Sequence, residues 1–136
     1  MDVQLCAGGI VFDAARRILL IERGQPPAQG TWSVPGGRCR SGEPAAAACV
    51  RELGEETGLA VEVVRFVGRV ERDAPHGGVY LIDDFECRLR DDVLTSRLRA
   101  GDDAADARWV TRGELATLAL APGLLDALAT WKMLPD

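Results

Sequence analysis

Short runs of apolar residues, several of them alternating with polar ones, recur along the chain and predict β-strands. Strands are expected at residues 3–12, 18–23, 32–34, 60–71, 79–90 and 107–110. The turn at 13–16 predicts that the first two strands form a hairpin. Glycine and proline mark a loop at 24–30 and a turn at 35–37. The polar segment 91–103 is expected to be rich in loops.

The alanine-rich segment 44–57 predicts the main helix. Pro44 suits the first helical turn, and Gly58 can end the helix in a left-handed cap. At 100° per residue the segment carries one apolar stripe, which we expect to face the core. Its members are Ala46, Val50, Leu53 and Thr57, with Cys49 at its edge.

Two shorter helices are predicted near the end of the chain, at 111–118 and 124–133. Thr111 can cap the first of them, with Glu114 completing a capping box. Strands and helices therefore mix along the chain, which predicts an α/β fold with a sheet covered by helices. The pattern does not by itself give the order of the strands.

Composition narrows the class of protein. The chain has 136 residues, which suits one domain, and its net charge of −5 argues against a partner such as polymeric nucleic acid. Four cysteines form no CxxC pair and there is one histidine, so we expect reduced thiols and no zinc site of the Cys/His type. No signal peptide or membrane-spanning run is recognisable, and we expect a cytoplasmic protein without membrane contact.

Three glutamates crowd the end of the main helix and need an explanation. Glu52, Glu55 and Glu56 share one face at the border of the apolar stripe, where like charges repel one another. The carboxyl end of a helix also disfavours anions. A bound divalent cation would reverse both penalties, and hard oxygen ligands suit Mg²⁺. The alternative is a solvated acidic helix face without a ligand.

The spacing of residues around the three glutamates decides between a cation site and a solvated acidic face. From Gly37 the sequence runs Gly, five residues, Glu43, seven residues, Arg51-Glu52-Leu53, one residue, Glu55-Glu56, one residue, Gly58-Leu59. It resembles the Nudix box, GX5EX7REUXEEXGU, at every specified position. The segments GTWSVPGG and GDDAADARWVTRGEL also resemble bacterial members of this MutT-like family, in particular the ADP-ribose pyrophosphatase group.

The resemblance implies a single Nudix domain over residues 1–136, an α/β/α sandwich around a mixed sheet, and hydrolysis of a nucleoside diphosphate linked to another group X. It implies Mg²⁺ as cofactor, with Mn²⁺ as a substitute. The implied metal ligands are Glu55, Glu56, the Gly36 carbonyl and Glu52, the last of which is alternatively the base that activates water. Arg51 would orient the glutamates and pair with Glu43, while Gly37 and Gly58 have structural roles in the box.

Residues outside the box carry weaker signals. Asp103, with Asp102 second, matches the extra carboxylate that relatives take from a loop to bind metal or to act as the base; a solvated acidic loop is the alternative. His76 lies in a glycine-flanked loop and is expected to be a surface residue, with a catalytic role as the alternative.

Substrate contacts are expected from two further residues. Arg23 resembles a basic residue that contacts phosphate in relatives, and Trp32 either stacks on a base or ribose or anchors its loop in the core. Tyr80 and Phe85 are assigned to packing within the sheet.

The leading hypothesis is a magnesium-dependent hydrolase of ADP-ribose or an ADP-sugar, acting on a small nucleotide. A MutT-like hydrolase of nucleoside triphosphates, including 8-oxo-dGTP, is the alternative within the same family. A non-catalytic nucleotide-sensing module and an acidic structural protein are the alternatives from other classes. The sequence does not decide whether the protein is a homodimer or which group is the general base.

Overall fold

The computed structural model describes residues 2–26, 28–75, 77–90, 98–101 and 103–136. His76, Asp102 and most of the segment 91–103 that was predicted to be loop-rich lie outside the described residues. Within the described ranges no helix combines the length and the apolar character needed to cross a membrane. The four cysteines are free thiols, as predicted.

In the described part of the chain seven strands form two sheets, which confirms an α/β fold with a mixed sheet. The strands are β1 Val3–Val11, β2 Ile18–Arg23, β3 Trp32–Ser33, β4 Gly36–Arg38, β5 Val61–Asp73, β6 Val79–Leu89 and β7 Ala104–Val110. One sheet has the order β4-β1-β6-β5, with β1 and β6 parallel and the other pairs antiparallel. The other sheet has the order β3-β2-β7 and is antiparallel.

The predicted hairpin of the first two strands is wrong. Apart from one isolated bridge between Phe12 and Ile18, β1 and β2 pair with different strands and belong to different sheets. Both edges of β1 are already occupied, by β4 and by β6, so β2 has no free edge of β1 to join. The predicted turn at 35–37 is also wrong in part, because Gly36 begins β4 and pairs with Gly8.

Helix α1 spans Ala45–Thr57, close to the prediction. Pro44 is the residue before the helix rather than part of its first turn, since its backbone is extended, with φ −62° and ψ 145°. Gly58 ends the helix with φ 74°, and its N–H donates to the Gly54 carbonyl. A left-handed residue at this place is one that glycine adopts without steric cost, so the predicted cap is confirmed.

The predicted apolar stripe of α1 is wrong in part, because the helix is rotated about its axis. Val50 is 38% exposed and Ala46 is half-buried, whereas Cys49 and Leu53 are fully buried against β1. The buried face of the helix consists of Ala48, Cys49, Leu53, Glu56 and Thr57. One of the three glutamates therefore lies on the core-facing side of the helix instead of at its border.

The described residues form two hydrophobic clusters in the interior. The first joins α1 to β1 and β6 through residues such as Leu53, Phe85 and Cys87. The second joins β1 and β2 to two short helices, α2 Arg112–Leu115 and α3 Leu124–Thr130. Both short helices end earlier than predicted. The capping box at Thr111 is confirmed, since Glu114 N–H donates to Thr111 Oγ1 and Thr111 N–H donates to Glu114 Oε1.

Candidate active site

The glutamates of α1 meet the backbone of β4. Glu56 is only 6% exposed, and its Oε1 accepts a hydrogen bond of 2.7 Å from the Gly36 N–H. This contact forms because α1 packs on β1 and β4 while β4 is held to β1 by pairing of Gly36 with Gly8. A buried carboxylate that accepts a backbone hydrogen bond is fixed in position, which is the condition for a precise ligand site.

Two glycines of β4 allow this close approach. A Cβ atom on Gly37 would lie 2.5 Å from Cδ of Glu52, and one on Gly36 would lie 2.3 Å from the Ala7 carbonyl oxygen. Both distances are shorter than side-chain carbons tolerate, so a residue with a side chain would push the carboxylate and the strand apart. The Gly-Gly pair therefore permits the glutamates to lie directly over the strand.

Arg51 connects the acidic residues into one network. Its Nε and Nη2 donate to the two carboxylate oxygens of Glu43, both at 2.9 Å. Its Nη1 donates to Glu52 at 2.9 Å and to Glu55 at 3.2 Å, and Nη2 also reaches the Arg38 carbonyl. The predicted pairing of Arg51 with Glu43 is present in this geometry. A planar guanidinium with five donors suits such a multiple contact.

The charges within this network stabilise one another. The hydrogen bonds from Arg51, followed by one from the Arg40 backbone, lower the pKa of Glu43 to about 2. The same contact with Glu43 raises the pKa of Arg51 above its ordinary value. Glu43 is thus ionised and Arg51 is charged at any pH near neutrality, so the arginine remains available to hold Glu52 and Glu55.

The donor set fits a hard divalent cation. Glu52, Glu55, Glu56 and the Gly36 carbonyl offer oxygen atoms only, which is the chemistry that Mg²⁺ prefers. Among the described residues no three acidic, cysteine or histidine side chains already surround one point. Coordination would therefore bring the carboxylates closer together, and Glu55, whose side chain is 36% exposed, has room to move. The assignment of these residues as ligands remains a prediction.

A cleft of about 720 Å³ opens beside the glutamates. Glu52, Glu56 and the two glycines of β4 form one end of it, together with the side chains of Arg23 and Arg38. Its other walls come from β1, β5, β6 and α3. Their apolar members include Ile10, Val70, Ile82, Leu128 and Trp131, and their polar members are Arg72, Asp73, Tyr80 and Asp84. The cleft therefore pairs a charged end with an apolar end, as expected for a molecule with a phosphate part and a ring part.

Two of the residues predicted outside the box reach this cleft. Arg23 lines it at the end of β2, as expected for a phosphate contact. Asp103 also lines it, and its backbone carbonyl accepts a hydrogen bond from the Gly24 N–H at 3.0 Å, which brings this loop to the end of β2. Their roles toward substrate and metal remain predictions.

The aromatic residues are placed differently from the sequence-based assignment. Trp32 is 5% exposed within the second hydrophobic cluster, with the Arg108 guanidinium 4.4 Å above its ring, so its burial favours the anchoring alternative. Phe85 packs in the core as expected. Tyr80, assigned to sheet packing, instead lines the cleft, where its hydroxyl accepts a hydrogen bond from Arg38 at 3.0 Å.

Sequence analysis missed Asp84, a buried acidic residue in the wall of the cleft. Asp84 lies in β6 and is only 5% exposed, and its Oδ1 is buried with no hydrogen-bond partner among the described residues. The signal available in the sequence was the alternation of side chains along the strand, because Asp84 lies on the same face of β6 as Tyr80 and Ile82. Burial raises the pKa of Asp84 from its usual 3.8 to about 7, with a smaller lowering by Arg72 and a smaller increase from Asp83.

Asp84 should make the protein less stable as the pH rises. Between about pH 4 and pH 7 the folded protein retains a proton on Asp84 that the unfolded chain has released. The stabilisation from this proton is complete below pH 4 and is lost as the pH passes 7. At about 1.4 kcal/mol per pKa unit, we expect a loss on the order of 4 kcal/mol relative to Asp84→Asn.

Urea unfolding of both proteins at several pH values measures this difference. The matched control is Asp83→Asn, which removes a neighbouring carboxylate that pairs with Arg69 at 2.7 Å. A difference between wild type and Asp84→Asn that stays constant across the range would show that Asp84 does not titrate there.

Comparison with known proteins agrees with the box. Residues 3–131 match the family described as NUDIX domain. An ADP-ribose pyrophosphatase of Methanocaldococcus jannaschii is 37% identical over 112 residues, covering 80% of this chain and 63% of that protein. A Mycobacterium tuberculosis protein named "Putative 8-oxo-dGTP diphosphatase 2" is 36% identical over 110 residues, covering 80% of this chain and 73% of that protein. The crystal structure of a MutT NUDIX hydrolase from Burkholderia pseudomallei matches with a TM-score of 0.79 at 25% identity, covering 95% of this chain and 98% of that one.

Proposed function

The chain belongs to the Nudix family of pyrophosphohydrolases, and we propose that its substrate is ADP-ribose or an ADP-sugar. The observation that carries this proposal is the cleft, which joins the glutamates and two arginines at one end to an apolar wall at the other. A diphosphate would lie at the charged end, and a nucleoside along the apolar wall. The archaeal ADP-ribose pyrophosphatase supports the choice of substrate, although less than two thirds of its length lies within the match.

Each part of the site has a task in hydrolysis of a pyrophosphate bond. Bound Mg²⁺ would neutralise phosphate oxygens and lower the pKa of a bound water. Glu55, Glu56, Glu52 and the Gly36 carbonyl would hold it, with Asp103 as a further candidate. Arg51 holds Glu52 and Glu55 in position, and the Gly36 N–H fixes Glu56. Arg23 and Arg38 add positive charge where the diphosphate would lie.

A MutT-like activity on nucleoside triphosphates is the second candidate. It is favoured by the mycobacterial relative, which is nearly as similar and of whose length a larger share is matched. The two substrates differ in the group attached to the second phosphate, which is a ribose in one and a third phosphate in the other. The cationic end of the cleft suits both, so the substrate must be decided by assay.

We expect ADP-ribose or an ADP-sugar to be the best substrate in a panel that also contains dinucleotides and normal and oxidised nucleoside triphosphates. Release of phosphate after coupled phosphatase treatment measures each reaction, with and without Mg²⁺ and with Mn²⁺ as a substitute. A higher kcat/KM for 8-oxo-dGTP than for ADP-ribose would favour the MutT-like activity on nucleoside triphosphates instead. Hydrolysis that continues after removal of divalent cations would contradict the proposed metal role.

A further inference from the structure

One buried carboxyl in the cleft has no task in the proposed reaction. Asp84 is only 5% exposed, and its Oδ1 has no hydrogen-bond partner among the described residues. It lies across from Gly8 in the parallel pair of β1 and β6. A Cβ atom on Gly8 would lie 2.3 Å from this oxygen, so the absence of a side chain on β1 makes room for the carboxyl.

The described residues around Asp84 provide no structural reason for an acid. Arg72 lies at the same cleft, but its Nη2 donates to the Pro122 carbonyl at 2.8 Å and its Nη1 to the Glu71 carbonyl at 3.1 Å. The neighbouring Asp83 shows the usual arrangement, since both of its oxygens contact Arg69. A buried polar group without a partner destabilises a fold. The carboxyl lies in the wall of a ligand-sized cleft and can turn about its Cβ–Cγ bond to present an oxygen, which indicates that a ligand supplies the partner.

The wall around Asp84 determines what that partner can be. Ile82 precedes it on the same face of β6, and Val70, Leu128 and Trp131 complete an apolar wall of the cleft. Such a wall suits a flat heterocycle better than a phosphate, which an acidic side chain would repel. A small number of polar groups among apolar ones is the usual means of orienting a ring, and here Asp84 lines the cleft together with Arg72 and Tyr80. In either protonation state a carboxyl offers an oxygen that accepts a hydrogen bond.

We propose that Asp84 accepts a hydrogen bond from an N–H group of the purine base, and that it thereby selects nucleotides whose base carries such a group. The proposal rests on the proposed function only in placing a nucleotide in this cleft. It does not depend on which group is attached to the diphosphate, nor on the metal. Asp84 is thus a residue that determines specificity for the base and takes no part in the chemical step.

Binding of nucleoside monophosphates without metal tests this directly. AMP and GMP carry N–H donors on the base, whereas purine riboside 5′-monophosphate carries none. Isothermal titration calorimetry should show that wild type binds AMP or GMP at least about tenfold more tightly than the purine analogue. Asp84→Leu should bring the three affinities to within about twofold of each other. Asp84→Asn, which retains an acceptor oxygen, should keep part of the preference.

The controls separate a lost contact from a damaged fold. Asp83→Asn removes an adjacent carboxylate that is paired with Arg69 and should leave the preference unchanged. Asp84→Leu removes an unpartnered buried acid and should melt at the wild-type temperature or above it. If Asp84→Leu melts at a lower temperature than wild type, its affinities would reflect a damaged fold, and the affinities of Asp84→Asn would decide the question.

Four results would overturn the proposal, and the first three concern the preference itself. They are equal affinities of wild type for all three nucleotides, a preference that survives in Asp84→Leu and Asp84→Asn, and no binding of AMP or GMP by wild type. An equal loss for every nucleotide in the variants would assign Asp84 to the sugar instead and would also overturn it. Hydrolysis of ADP-ribose by the same wild-type preparation reports separately on the proposed function, so one proposal can fail while the other stands.

Discussion

Replacing Glu55 by glutamine should lower kcat by about 10²- to 10³-fold while the fold survives. The change keeps the shape of the side chain and removes one anionic oxygen donor from the set that would hold Mg²⁺. Metal ions supply several kcal/mol of charge stabilisation in such reactions, and about 3 to 4 kcal/mol corresponds to this loss. Glu55 is the glutamate whose side chain is 36% exposed, and its ion pairs with Arg51 and Arg40 lie near the surface. Losing them should alter stability by about 1 kcal/mol at most.

The measurement is steady-state hydrolysis of the best substrate across a magnesium titration, together with thermal unfolding of each variant. Glu71→Gln is the matched control, because Glu71 is an exposed glutamate of β5 outside the cleft. It should leave kcat unchanged. A near wild-type kcat in Glu55→Gln would refute its assignment as a ligand, whereas a large drop in melting temperature would attribute the loss of activity to the fold.

The sequence was most informative where a feature lies within one short segment of the chain. The resemblance to the Nudix box implied that Glu43 pairs with Arg51, and the structure joins them by two hydrogen bonds of 2.9 Å. The same holds for Gly58, whose role as a left-handed cap depends only on its own backbone. Such features are encoded within about two helical turns, so no knowledge of the tertiary fold is needed to predict them.

Predictions that depended on partners distant in sequence were less successful. The register that places Gly8 between Gly36 and Asp84 depends on strands more than 25 residues away on one side and more than 70 on the other. No periodicity within β1 specifies those partners. The hairpin of β1 and β2 was wrong for this reason, and Asp84 was missed because its significance depends on the cleft that the assembled strands create.

The rotation of α1 shows how a polar contact can override an apolar pattern. Hydrophobicity alone placed Val50 inside and the glutamates at the border. In the structure the Gly36 N–H donates to Glu56, and this draws the carboxylate to the buried side and turns Val50 outward to 38% exposure. An unpaired N–H at this position would cost about 1 to 3 kcal/mol, which is comparable with the cost of leaving Val50 partly exposed, so the hydrogen bond can offset that exposure.

Leu53→Ala should destabilise the protein by roughly 2 to 5 kcal/mol, because Leu53 is fully buried at the centre of the first cluster. Its Cδ1 would lie 2.9 Å from a Cβ on Gly9, so the helix rests directly on the strand and little can move to fill the cavity. Denaturant unfolding measures the change. Activity of the fraction that remains folded should fall only slightly, since Leu53 is not among the residues that line the cleft.

Val50→Ala is the matched control for this substitution and also tests the orientation of the helix. Val50 and Leu53 are three positions apart and were both predicted to face the core, but only Leu53 is buried in the structure. Val50→Ala should therefore change the free energy of unfolding by about 0.5 kcal/mol or less, as surface substitutions do. Equal losses of unfolding free energy in the two variants would show that the helix has the orientation predicted from its apolar pattern. In that orientation Glu56 would not reach the Gly36 N–H, and the geometry on which the proposed metal site depends would be wrong.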